Sequence, residues 1–127
     1  VAEPSLSIDP DDPLPVYAQI ERGMSLLVAG GHWAPEERVP SVREMAVRLR
    51  VNPLTVQKAY RLLIDQGVLV SRPGAGVFVA KRQPASADPR GMAEEVLSEA
   101  IEKARTLGLP DDEIHRIVEN SLHLTRR

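Results

Sequence analysis

The spacing of apolar residues along this chain changes at defined points, and each change marks an element. Apolar positions at Val16/Tyr17, Ile20, Met24, Leu27 and Val28 fall three to four apart, which predicts one face of a helix of about four turns. Gly30-Gly31 ends it, because glycine readily takes the left-handed geometry of a helix C-cap. Residues 31–38 read as a loop, with Trp33 covering an edge of the core. Ser41-Val42-Arg43-Glu44 then spells a capping box: the Ser hydroxyl accepts from the N–H three residues on, and Glu44 reaches back. Val42, Met45, Ala46 and Leu49 form the stripe of a short helix that ends near Leu49. Asn52-Pro53 opens the next one, since Asn is a strong N-cap and Pro loses nothing at the first helical position. Its stripe is Val56, Ala59, Tyr60 and Leu63, and it runs to about Gln66 before Gly67.

Two helices with separate start signals and a three-residue turn make a helix-turn-helix, with the second helix protruding. After Gly67 the period becomes strand-like: Val68-Leu69-Val70, then Pro73-Gly74-Ala75-Gly76, then Val77-Phe78-Val79. A hairpin directly after the second helix is a wing. The fold class expected is therefore mainly α with a small β wing, a winged helix-turn-helix over residues 14–80. Residues 1–13 read as an N-terminal arm, rich in Pro and Asp. Residues 81–91, KRQPASADPRG, read as a linker. Residues 92–127 read as a two-helix C-terminal hairpin. Its apolar stripes are Met92, Val96, Leu97, Ala100, Ile101 and Ala104, then Ile114, Ile117, Val118, Ser121 and Leu122, with Gly108 between them. Acids at Asp111, Asp112 and Glu113 suit the start of the last helix, where the helix dipole favours them.

Cys is absent, which excludes disulfides, thiolate nucleophiles and Cys-based zinc sites. No apolar run approaches the roughly 20 residues needed to span a bilayer. The net charge of −2 argues at first against a nucleic-acid partner. Its distribution reverses that inference. Residues 1–13 carry −4, residues 14–80 carry +3 and residues 81–127 carry −1. Within residues 41–61, Arg43, Arg48, Arg50, Lys58 and Arg61 face Glu44 alone, for +4. Local charge decides where phosphates can dock.

If Val56, Ala59, Tyr60 and Leu63 face the core, then Leu54, Thr55, Gln57, Lys58 and Arg61 turn outward or to the flanks. Such a helix presents its N-terminal side chains to major-groove base edges. Thr55 and Gln57 can hydrogen-bond bases, and Leu54 can meet a thymine methyl. Lys58 and Arg61 suit phosphates, which position the protein without specifying sequence. Arg43 would lie near the backbone that the protruding helix crosses. Ser41 and Asn52-Pro53 open the two helices, whose first N–H groups add partial positive charge. Gly74, at the wing tip with Arg72 beside it, lets the backbone approach a phosphate or the minor groove. The alternative is an ordinary solvated face.

Residues 39–80 resemble the DNA-binding domain of GntR-type bacterial regulators, and more closely the YtrA-like subfamily. The resemblance is carried by Pro40-Ser41-Val42-Arg43-Glu44, Val51-Asn52-Pro53 with Thr55-Val56, Lys58-Ala59-Tyr60, and Gly67-Val68-Leu69 with Gly74-Ala75-Gly76-Val77-Phe78-Val79. Pro15 to Ile20 is similar to the family's first helix, so the match spans about residues 8–80. The resemblance implies a cytoplasmic homodimer that binds double-stranded DNA at an inverted-repeat operator, usually as a repressor. It also suggests transporter operons as targets. It implies that Arg43 contacts DNA backbone, that Asn52 to Lys58 meet bases and phosphates, and that Gly74 lies at the wing tip. Arg50 departs from the pattern, standing where the family often has Gly. A left-handed conformation there would cost Arg about 1 kcal/mol.

Two amphipathic helices cannot bury both apolar faces alone, so the stripes of residues 92–127 are expected to meet a second copy. A separate effector domain does not fit in 47 residues. His115, Glu119 and His123 share a helix face and can in principle bind zinc, but the H-E-x-x-H pattern is absent and a solvated face is the simpler reading. Pro73 to Gly76 lacks the Lys-Ser/Thr of a phosphate loop, and G-x-S-x-G is missing. No enzyme, metal or cofactor is expected. The competing functions are a winged helix used as a protein-interaction module and a metal-responsive sensor built on the last helix.

Overall fold

The computed structural model describes residues 6–84 and 88–125. Seven elements follow in order: α1 (Val16–Ala29), α2 (Val42–Leu49), α3 (Pro53–Asp65), β1 (Leu69–Arg72), β2 (Gly76–Val79), α4 (Pro89–Thr106) and α5 (Asp111–Thr125). They form two compact units that divide at Pro89/Arg90.

Local chemistry sets the helix boundaries of the first unit. The Ser41 hydroxyl accepts from the Glu44 N–H at 3.1 Å, and Glu44 Oε1 accepts from the Ser41 N–H at 3.1 Å. These bonds, with Arg38 and Arg48 nearby, hold the Glu44 carboxyl below its usual pKa. Asn52 Oδ1 accepts from the Leu54 N–H at 2.8 Å, and Pro53 takes the first helical position of α3. Gly31 and Gly67 adopt positive φ beyond α1 and α3.

Arg50 closes α2 in the left-handed conformation (φ 56°, ψ 48°). This is the geometry in which the side-chain Cβ is penalised. Arg50→Gly is therefore expected to stabilise the protein by about 0.5–1 kcal/mol, after the extra chain entropy of glycine is set against the relieved strain. Urea denaturation checks this; an unchanged midpoint would mean that the arginine side chain supplies an offsetting interaction.

The core joins Ile20, Met24 and Val28 of α1, Met45 and Ala46 of α2, and Val56, Ala59, Tyr60 and Leu63 of α3 with Val68, Leu69 and Val79 of the hairpin. α3 packs chiefly on α1 and then on α2. Trp33 is buried within this cluster, more deeply than a cover over its edge would be. Leu6 and Ile8 also pack against it, so part of the expected arm belongs to the folded unit. Gln19 fastens that segment, donating to the carbonyls of Asp9 and Leu14 and accepting from the Asp9 N–H, each at 2.9 Å.

The wing pairs Leu69↔Val79, Val70↔Phe78, Ser71↔Val77 and Arg72↔Gly76 in antiparallel register. Its first strand starts one residue later than the apolar run suggests. Residues 36–39 line the other side of β2: Val79 N–H donates to Glu37 O at 2.8 Å and Val39 N–H to Val77 O at 2.9 Å. Arg38 lies across Gly76, where a Cβ would meet its Nε at 2.9 Å. Gly76 also has φ 124°, so both backbone and space require glycine there.

α4 begins at Pro89, three residues before the expected helical region opens at Met92. The correction has a simple cause: Pro is tolerated in the first turn of a helix, and the linker's Pro89 serves as a start. The turn between α4 and α5 is clipped by Arg105. It meets Asp111 through Nε at 3.0 Å and Nη2 at 3.1 Å, and Glu102 through Nη1 at 2.8 Å. The pairing raises the Arg105 pKa and lowers that of Asp111. Ile114 is buried, while Leu97, Ile117, Val118 and Leu122 are exposed. Leu107 and Leu124, which the stripes did not include, are exposed as well. No helix is long and apolar enough to cross a membrane among the described residues.

Candidate nucleic-acid interface

The core stripe of α3 fixes what its opposite side presents. Val56, Ala59, Tyr60 and Leu63 are buried, so Pro53, Leu54, Gln57, Lys58 and Arg61 are exposed, and Thr55 is half-buried on the flank. Leu54 is 71% exposed, an apolar side chain held in water at the first turn of a helix. Asn52 and Ser41 each commit a side-chain oxygen to capping. Their capping roles leave the Asn52 amide N–H groups and the Ser41 hydroxyl proton as donors. Arg43 projects from the first turn of α2 and is exposed.

Lys58, Arg72 and Arg38 have intramolecular partners. Lys58 Nζ lies 3.9 Å from the centroid of the Tyr17 ring on α1. Arg72 lies over the Phe78 ring at 4.6 Å and approaches Glu36 at 3.7 Å. Arg38 approaches Glu44 at 3.7 Å. Arg43, Arg50 and Arg61 have no such partner among the described residues. Lys58 therefore starts from a cation–π contact, and Arg72 is folded back over the sheet rather than aimed past the Gly74 tip.

Gly74 sits at the wing tip with φ 78° and open space around the position of a Cβ. Between α3 and the wing runs an open cleft of about 660 Å3. Gln57, Arg61, Asp65 and Ser71 form its polar lining, and Val42, Tyr60, Ile64 and Val77 its apolar lining. The Tyr60 hydroxyl is not available there, because it donates to the Pro40 carbonyl at 2.6 Å, and burial pushes its pKa upward. Ser71 lines the cleft although no motif singles it out in the sequence. Counting by two from buried Leu69 puts Ser71 on the sheet face that carries Leu69, toward α3.

The His115, Glu119 and His123 group does not assemble as a metal site. His115 Nε2 meets Glu119 Oε1 at 3.3 Å, and no group of three or more ligating side chains occurs among the described residues.

Residues 16–79 match the family described as bacterial regulatory proteins, gntR family. The chain is 30% identical to the HTH-type transcriptional repressor YtrA of Bacillus subtilis over 116 residues, which cover 90% of this chain and 89% of YtrA. It is 34% identical to the histidine utilization repressor of Klebsiella aerogenes over 88 residues, 68% of this chain but 36% of that longer protein. The crystal structure of AraR(DBD) in complex with operator ORX1 superposes with a TM-score of 0.54 at 34% identity, covering 59% of this chain and 93% of AraR(DBD). The chain thus belongs to the gntR family of bacterial regulatory proteins, and it is a winged-helix transcriptional regulator of the YtrA-like kind.

Proposed function

We propose that this protein is a homodimeric repressor that reads an inverted-repeat operator through the exposed start of α3. The observation that carries the reading is the side of α3 opposite its core stripe. Leu54, Gln57 and Arg61 are exposed and without a partner among the described residues, in a segment of charge +4. Leu54 exposed beside hydrogen-bonding Thr55 and Gln57 is the mix that base edges require: donors and acceptors for purines, an apolar surface for thymine methyl. Arg43 and Arg61 then hold phosphates, and the Gly74 tip enters the neighbouring groove. YtrA and the histidine utilization repressor are named as repressors, and AraR(DBD) was solved on an operator; both facts support the assignment.

The exposed apolar side chains of α4 and α5 support self-association, and a two-fold dimer calls for two half-sites. Cytoplasmic location follows from action on the chromosome. The likeness to YtrA-like regulators supports a transporter operon as the target.

Fluorescence anisotropy on the protein's own promoter region, with random DNA as competitor, tests the reading. A clear preference for the promoter is expected. Thr55→Ala should lower discrimination at one base pair by about 1–3 kcal/mol, the worth of a good base contact, and leave the salt dependence unchanged. Equal affinity for promoter and random DNA would sink the operator reading.

A further inference from the structure

We infer that Gln83 is a positioning residue that limits how far apart the two operator half-sites can lie, by pinning the start of the linker to the end of the reading helix. The inference rests on the proposed dimeric reading. In such a dimer the chain after the wing tethers each reading head to the contact between copies. The point where that tether leaves the head then matters as much as its length.

The anchor is Val68, the joint between α3 and β1. Its N–H donates to Leu63 O in the last turn of α3 at 2.9 Å, and its carbonyl accepts from the Ala80 N–H, just past β2, at 3.0 Å. The same carbonyl accepts a second bond, from Gln83 Nε2 at 3.0 Å. The Gln83 amide also donates to Ala80 O at 3.1 Å, which closes residues 80–83 into a loop against the root of the wing. The amide has one workable orientation, since turned over it would set Oε1 against two carbonyl oxygens. Gln83 Oε1 itself is buried without a partner among the described residues, so the side chain is held there by what its nitrogen donates. No other hydrogen bond or ion pair ties residues 81–84 to the head among the described residues.

This lock shortens the tether. α4 starts at Pro89. At about 3.5 Å per residue the chain from Gln83 to Pro89 spans at most about 21 Å, and from Ala80 to Pro89 about 32 Å. For two heads the limits are about 42 and about 64 Å. Moving the half-sites apart by one duplex turn, about ten base pairs, adds about 34 Å without changing the face they present. With Gln83 in place that addition consumes nearly the whole reach of both tethers. With the lock open it fits.

The test measures affinity of the full chain for three duplexes: the promoter, the promoter with one turn of DNA inserted at its centre of symmetry, and a single half-site. The wild type should bind the lengthened duplex no better than the single half-site. Gln83→Ala should match the wild type on the single half-site. It should bind the lengthened duplex at least about tenfold more tightly than the single half-site, because a tether that spans both sites makes the second contact intramolecular. Gln83→Glu has the same shape but offers both carbonyls only an acceptor, and should behave as Gln83→Ala does. Inserting Gly-Ser-Gly after Pro84 of the wild type restores the length that the lock removes and should give the same gain. Trypsin reads the lock without DNA: cleavage after Lys81 and Arg82 should be at least about fivefold faster in Gln83→Ala, the effect of losing one or more hydrogen bonds that hold the segment closed.

Gln83→Ala with the wild-type ranking of the three duplexes, equal trypsin rates, or an insertion without effect would overturn the assignment. In each case tighter wild-type binding to the promoter than to a single half-site leaves the dimeric reading standing. Equal wild-type affinity for those two duplexes would overturn both.

Discussion

Ile117→Glu combined with Leu122→Glu is expected to make the protein a monomer in light scattering. It should also weaken binding to a two-half-site operator by about 10²–10⁴-fold, the range over which linking two sites raises affinity. The two side chains are 51% and 66% exposed in the single chain. Glutamate at either position therefore meets water, and the helical unit itself should keep its circular dichroism. In a dimer each side chain would be covered. Burying a leucine or isoleucine is worth about 1.5–3 kcal/mol, and a buried unpaired carboxylate costs several more. The α4–α5 pair fully buries only Ile114 among the large apolar side chains described for it, while Leu97, Ile117, Val118 and Leu122 stay exposed. Affinity for a duplex with one half-site should change little. A variant that remains dimeric at wild-type affinity would show that these helices are not the contact between copies.

Leu63→Ala is the substitution expected to cost most in stability, about 2–5 kcal/mol for a fully buried leucine replaced by alanine. Leu63 has no exposed surface and lies on α3 in the cluster that includes Ile20 and Met24 of α1. α1 is the chief support of α3, so the void would open beneath the helix proposed to read DNA. Against a total stability of about 5–15 kcal/mol, the loss should lower the urea midpoint visibly with little change of slope. Leu63 does not reach the cleft or the exposed start of α3. At low temperature, where the variant is folded, DNA affinity should therefore stay within a few-fold of wild type. A cost below about 1 kcal/mol would mean that the core collapses to fill the space.

Much of the reading head is written locally. The Ser41–Glu44 box and the Asn52 cap act over two or three residues, so the starts of α2 and α3 were legible as strings. The stripe Val56, Ala59, Tyr60, Leu63 is buried as its period requires, and the partial charges of the hairpin pointed to the same surface. Arg50 was legible as a departure, but its torsion angles were not; only the observed φ of 56° makes it a strained cap. Trp33 and the Leu6–Ile8 segment show the converse. Isolated apolar residues outside a periodic run carry no directional signal, and both prove to be packed on the core.

What the sequence alone determined, then, is where elements begin and end, which helix faces are apolar, and where positive charge gathers. These rest on interactions between residues a few positions apart. Tertiary structure alone decided which cations are engaged and which are open. Lys58 meets Tyr17 from another helix, Arg38 crosses Gly76 from another segment, and Arg72 folds over Phe78 across the hairpin. Arg61 meets no partner among the described residues and, with Ser71, lines a cleft that exists only once the wing stands beside α3. A side chain's charge belongs to the sequence, but its availability depends on what packing brings within reach, and for these residues that partner lies on a different element.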